Sequence, residues 1–374
     1  MNSWKKLGTV SLFVFSALAQ GQEINLSGFA SAHVTQQLGG NSTPEYYSNN
    51  TNYYNFTKFG LNVGSKIDDQ WSIQSQLLVS GKRVDVGAET PQWNMYANWL
   101  FASYRPTDNF RMRIGRQLFP AWLVSEYIDV GYMYPWTETP HSVYELSPFK
   151  SINGLSFDHT IQLSNKSKLT VLVFGGEEQI RIPLAGGGHE DNNYGSVIGS
   201  ELTLQSSGHK FRLMGANYKL ATNIDDGVNP TADFKNNSVT VVTSGYKYDQ
   251  NDILVYAEYG IREGNTSGTQ VSSPYLPYDG ISSRSFNKRA RAGYLTFGYW
   301  FNKVLPHLTL SQTNWQTGSV EGTQDLYSLG LNYKINDNII FKTNVGYTIT
   351  NNGPAHMDAE GDATTWVGGV DMIF

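Results

Sequence analysis

The sequence predicts an all-β fold, a transmembrane antiparallel β-barrel of about 16 strands. Three observations predict it. Segments of about ten residues alternate apolar and polar side chains, and the breaks between them alternate between short and long. The final segment carries the alternation to the terminal Phe374. A strand with one apolar and one wet face reads this way, and a closed barrel is the sheet that leaves no edge unpaired.

Composition agrees. Only 16% of the 374 residues are charged, 27 Lys plus Arg and 32 Asp plus Glu, where soluble domains carry about 25%. Aromatic residues reach 13%. The negative mean hydropathy excludes a bundle of membrane-spanning helices, and a net charge of −5 gives no sign of a nucleic-acid partner. Cysteine is absent, so disulfides and Cys-built zinc sites are excluded.

At the N-terminus, Lys5 and Lys6 precede an uncharged run from Leu7 to Ala19 that closes on small residues. This is the layout of a secretory signal peptide, too short to span a bilayer as a helix. Cleavage is expected after Ala19 or Gly21, making residues 1–21 the signal and 22–374 a single barrel domain. A buried N-terminal helix is the alternative.

The strands follow in order. Ile24, Leu26, Gly28, Ala30, Ala32 and Val34 alternate with polar residues, as do Ile253, Val255, Ala257, Tyr259 and Ile261, and Ile339 through Ile349. Seven short breaks read as turns: 68–70, 106–109, 164–168, 206–209, 249–252, 302–305 and 336–338. Eight breaks of roughly 8 to 34 residues, rich in Gly, Asn, Asp and Pro, lie between them. Outer-membrane barrels have this asymmetry. Residues 95–104 read outward through either Trp99 and Phe101 or Leu100, Ala102 and Tyr104. Aromatic residues crowd the short turns, among them Trp71, Tyr104, Phe211, Tyr246, Phe301 and Tyr333, as an interfacial girdle does.

The last strand sets Trp366, Gly368, Val370, Met372 and Phe374 on one parity, with Thr365, Gly369 and Asp371 on the other. This resembles the closing signature of outer-membrane proteins, which implies recognition by the barrel-assembly machinery. Trp366, Val370, Met372 and Phe374 would carry that signature.

A barrel of this size leaves an aqueous lumen that something must narrow. The longest break, from Gln117 to about Lys150, is apolar and aromatic, with Phe119, Trp122, Leu123, Tyr127, Tyr132 and Trp136. Such a segment is expected to pack, and the barrel interior is the available place. It also carries Glu126, Asp129, Glu138 and Glu145, with His141 between the last two.

The run Ile114-Gly115-Arg116-Gln117 before that loop resembles the end of the fifth strand in the general diffusion porins, outer-membrane proteins of the 16-stranded type. In that family the third external loop folds inward as a constriction. The resemblance implies a Gram-negative outer-membrane location, contact with lipid and lipopolysaccharide, and a homotrimer. It makes Arg116 a constriction arginine facing loop carboxylates. The Pro-Glu-Phe-Gly-Gly stretch of enterobacterial relatives is replaced by Tyr134-Pro135-Trp136. Parity points Arg111 and Arg113 inward and Arg116 outward, unless Gly115 forms a bulge. The candidate constriction residues are therefore Arg111, Arg113, Arg116, Glu126, Asp129, Glu138 and Glu145. Opposed charges across a narrow wet gap sort solutes by charge and dipole. Lys58, Lys66, Lys82, Glu201, Glu258, Arg262 and Lys342 read as passive wall lining.

Nothing argues for catalysis, a cofactor or a metal. The seven His lack ligand spacing, Asp358, Glu360 and Asp362 do not complete a calcium loop, and Gly186-Gly187-Gly188 lacks the context of a phosphate cradle. The expected function is passive diffusion of ions and small hydrophilic solutes. The alternatives are a porin selective for sugars or carboxylates along its constriction loop, a barrel enzyme, and a secreted lectin.

Overall fold

A computed structural model describes residues 24–42, 47, 49–82, 92–183, 189–225, 230–264, 289–317, 320–351 and 360–374. The expected signal segment, Gly186-Gly187-Gly188, His356 and Asp358 lie outside the described residues.

Sixteen strands follow one another along the chain. They are β1 (Ile24–Gly40), β2 (Lys58–Lys66), β3 (Trp71–Lys82), β4 (Gln92–Thr107), β5 (Phe110–Leu118), β6 (Ser151–Ser164), β7 (Ser167–Pro183) and β8 (His189–Ser206), then β9 (His209–Asp225), β10 (Pro230–Gln250), β11 (Ile253–Gly264), β12 (Arg289–Tyr299), β13 (Val304–Thr317), β14 (Val320–Lys334), β15 (Ile339–Asn351) and β16 (Gly361–Ile373). Each pairs antiparallel with its chain neighbours, and β1 pairs with β16 to close the barrel. The backbone groups of every strand therefore find partners within the sheet.

The seven short turns fall where the sequence places them. Except for β2 and β5, with nine residues each, the strands are longer than the expected ten, reaching 21 in β10, and some long connections are correspondingly shorter. Between β13 and β14 only residues 318–319 intervene, because the ladder continues to the pair Thr317 and Val320. Pairing backbone groups with each other favours extending a hairpin past the apolar belt, where side chains give no alternation to read.

One parity of each strand is exposed and apolar: Leu155, Phe157 and Ile161 on β6, Leu295, Phe297 and Tyr299 on β12, Leu329, Leu331 and Tyr333 on β14. The opposite parity carries buried polar groups such as Ser31, His33, Asp158, Glu201, Arg212, Glu258, Lys342 and Asp371. Rings pair at the short-turn end, Trp71 with Tyr104 at 4.7 Å and Phe211 with Tyr246 at 4.8 Å.

The two readings of 95–104 resolve into a bulge. Gln76 pairs with Trp99 and Leu77 with Ala97, leaving Asn98 as the extra residue. Met95 (59% exposed) and Leu100 (41%) thus share the outer parity, while Asn98 turns to the polar face. At Gly115 (φ +127°) the ladder shows no register shift, so Arg116 stays opposite Leu100 and Asn153 on the outer parity and does not face the lumen as the expected constriction arginine.

The C-terminus locks the seam. Phe374 exchanges two backbone hydrogen bonds with Gly28, at 2.8 and 3.0 Å, and its ring lies 5.9 Å from that of Phe59. A Cβ on Gly28 would stand 2.8 Å from the Gly60 carbonyl and collide with the Phe374 ring. Gly28→Ala is therefore expected to destabilise the folded barrel by about 1–3 kcal/mol. The heat-modifiable shift of the folded band on gels, recorded against temperature, checks this.

Candidate functional site

The segment between β5 and β6 starts with an apolar stretch. Phe119, Trp122, Leu123 and Val124 are buried with Val143, Phe149, Phe174, Tyr194, Met214 and Tyr218 in one cluster. Ring centroids lie 5.6 Å apart for Phe119 and Phe174, and 5.3 Å for Phe149 and Tyr218. The polar face of β7 to β11 changes to apolar residues where this segment covers it. Two glycines give it room, since a Cβ on Gly245 would meet Leu123 at 2.7 Å and one on Gly260 would meet Trp122 at 2.6 Å.

Only short helical turns, Ser125–Tyr127, Gly131–Met133 and His141–Tyr144, interrupt the segment, so its backbone groups need outside partners. Strand side chains supply them. Arg212 donates to the Trp122 carbonyl, Thr243 to the Ala121 carbonyl at 2.6 Å, and Asn332 to the Pro135 carbonyl at 2.8 Å. The Leu123 N–H donates to Glu258, whose other oxygen accepts from Tyr144 at 2.7 Å and Tyr294 at 2.6 Å. The Trp136 indole donates to Thr296 and Thr309, and the Thr137 hydroxyl to Asn344 at 3.1 Å. Tyr132 reaches the β14–β15 turn, donating to the Asp337 carbonyl at 2.7 Å.

Lys342 is the densest of these anchors. Its fully buried ammonium donates to the carbonyls of Gly131, Tyr134 and Trp136 and stands 3.2 Å from Asp371. Asp371 in turn lies 3.2 Å from the His33 ring across the β1–β16 seam. One lysine thus links the segment to the strand that closes the barrel.

Asp129 is held at 3.4 Å by Lys58, 2.9 Å by Asn98 and 3.6 Å by Lys150. Burial pushes its carboxyl up, but Lys150 and Lys58 outweigh burial and hold it below its ordinary value. Glu126 is also held low: desolvation by the surrounding protein raises it, and Arg212, Lys210, Arg113 and Arg111 override that.

The candidate residues divide among several places. Arg111 and Arg113 share Asp158, at 2.9 and 3.4 Å, and Arg116 meets Glu178 at 2.6 Å. Glu126 feels the first two arginines, while Asp129 sits among the lysines. Glu138 and Glu145 flank His141, and Glu138 also accepts from Tyr47 at 3.2 Å. Among the supposed lining residues, Lys58, Glu258 and Lys342 bond to the segment instead, and Glu201 pairs with Arg212. Asp158, Glu178, Arg212 and Asn98 escaped the sequence reading. Asp158 was visible by parity, lying between Phe157 and His159 on an alternating strand; Asn98 was hidden by its bulge. The loop aromatics Trp122, Tyr134 and Trp136 are buried and present no face to a solute.

No protein-family model matches the chain, and no curated protein matches it by sequence. Solved structures do match. OmpF of Salmonella typhi, solved with daunomycin, superposes with a TM-score of 0.60 at 13% identity, over 95% of this chain and 99% of that one. The fold is that of the sixteen-stranded porins. An anion-selective porin from Comamonas acidovorans shares this porin fold with a TM-score of 0.58 at 10% identity, covering 94% and 100% of the two chains. The outer-membrane channel DcaP of Acinetobacter baumannii gives 0.58 at 11%, covering 95% and 98%.

Two outcomes follow for this porin fold. Lys342→Met leaves Asp371 buried without its ammonium partner and three carbonyls without a donor. It should cost about 3–5 kcal/mol of stability, measured by thermal unfolding of the folded barrel. For Asp129 the folded value lies below its ordinary 3.8, so its stabilisation is complete above that value and is lost as pH falls through the folded one. Unfolding temperature should hold from pH 7 to about 5 and drop below about 4; Asp129→Asn should lower it at neutral pH and remove that part of the acid dependence.

Proposed function

We propose that the protein is an outer-membrane porin, exported by cleavage after Ala19 or Gly21, that forms a water-filled channel for passive diffusion of ions and small hydrophilic solutes. One observation carries the proposal. The segment between β5 and β6 bonds to side chains on β2, β4 and every strand from β9 to β15, all of the parity opposite the exposed apolar belt. A single connection reaches so many strands of a closed barrel most directly by lying inside it. On this account the segment narrows the lumen, and solutes pass between it and the wall left uncovered.

Arg111, Arg113 and Glu126 form the charged part of the constriction; Arg116, on the outer parity with Ile114 and Leu100, pairs with Glu178 away from it. Asp129 and Glu138 hold the segment to residues outside it, and Glu145 pairs with His141 within it. Contact with lipopolysaccharide, assembly through the C-terminal Trp366, Val370, Met372 and Phe374, and a homotrimer belong to the same proposal. One solved match, OmpT of Vibrio cholerae, is described as a trimer form.

Conductance in a planar bilayer tests the function. Stable steps are expected from the folded wild type; folded protein that inserts and passes no current would refute the channel. Asp158→Asn removes the carboxylate shared by Arg111 and Arg113. One unit of charge about 10 Å from the ion path should shift the anion-to-cation permeability ratio about twofold toward anions, read from the reversal potential in a salt gradient.

A further inference from the structure

The polar face is not uniform around the barrel. From β7 to β13 it is covered by the aromatic segment, whereas from β1 to β4, at the short-turn end, it borders a cavity of about 380 Å³. That volume lies within the about 300–1,000 Å³ typical of small-molecule sites. The cavity wall is built from Asn25, Ser27, Asn62, Gln74, Trp99 and Ser103, while Lys66, Asp68, Asp69 and Arg105 stand by the β2–β3 and β4–β5 turns. Between those charged positions and Asp129, the wall offers uncharged donors and acceptors.

The amides are held in order. Asn98 donates to Gln76 at 2.7 Å, Gln76 to Asn62 at 2.8 Å, and Asn62 to Ser27 at 3.2 Å. At one end of this relay Asn98 is fixed by Asp129 of the inserted segment. Asn25, Ser27 and Gln74 are exposed, so the cavity meets polar groups that alternately donate and accept. Beside them the bulge at Asn98 brings Trp99 onto this face, with its ring 5.5 Å from that of Phe101. A wall that only held water would have no use for a large aromatic ring. The charged residues of the lining, Lys66, Asp68, Asp69 and Arg105, stand by the turns and carry both signs, whereas Asn25, Ser27, Asn62, Gln74 and Ser103 are uncharged.

We propose that this sector is a binding site for neutral sugars. The C–H face of a pyranose ring packs on Trp99, and its hydroxyls exchange hydrogen bonds with Gln74, Asn62 and Asn25. The site names a solute class for the channel and rests on the channel reading for its access. It also explains the bulge, which without such a role merely interrupts the β3–β4 ladder.

Saturation-transfer NMR of the folded protein in detergent micelles, titrated with maltose, tests the site without requiring conductance. Saturable maltose binding is expected. Trp99→Ala should weaken it about fivefold, the size of one lost ring-stacking contact, and Gln74→Ala, which changes an exposed side chain, should weaken it in the same direction. Trp93→Ala, on the outer face at 55% exposure, should leave it unchanged. Absence of saturable binding to the folded wild type, or equal weakening by Trp93→Ala and Trp99→Ala, would overturn the proposal. Conductance steps without maltose binding would sink the sugar site alone, and Trp99-dependent binding without conductance would sink the channel alone.

Discussion

Backbone amides and carbonyls in a bilayer have no water to bond, and that constraint sets the rest of this structure. It requires the sheet to close, so β1 pairs with β16 and Phe374 ties its carbonyl and amide to Gly28. Closure with sixteen strands leaves an interior wider than side chains fill. On the proposed reading the connection between β5 and β6 occupies part of it, and the same constraint then applies to its own irregular backbone. Lys342, Arg212, Thr243 and Asn332 meet carbonyls that a helix would have satisfied internally.

Two kinds of force hold that segment. Its apolar half is driven onto Phe174, Met214 and Tyr218, a non-directional contact that fixes depth but not register. Its second half runs along polar anchors, where geometry is strict. Lys342 joins both concerns, because its partner Asp371 lies on the closing strand and touches His33 across the seam. Barrel closure and placement of the segment are therefore coupled through one buried ammonium.

Much of the barrel was legible in the sequence, because period-2 alternation directly reports which face meets lipid and all seven short turns break it with polar residues. Less could be read where alternation stops. The two-residue link between β13 and β14 looks like a long loop because its hairpin extends beyond the apolar belt. The parity of 95–104 stayed double because a bulge makes both readings true over part of the strand. The site was harder. Parity placed Lys58, Glu258 and Lys342 on the wet face, but not their partners, since the Lys342 bond to Gly131 spans 211 positions. Strand pairing and loop course, both non-local, decide whether such a group lines a wall or anchors a segment.

The central claim is that residues 119–150 lie pinned inside the barrel, and the absence of cysteine makes it directly testable. Thr137 and Asn344 touch in the structure, with the Thr137 hydroxyl 3.1 Å from the Asn344 amide oxygen. The double variant Thr137→Cys with Asn344→Cys, treated with a short thiol-specific crosslinker in the outer membrane, should bridge efficiently and keep the single-channel conductance of the uncrosslinked protein. Free thiols that resist bridging and react readily with a large impermeant maleimide would show the segment lying outside the barrel.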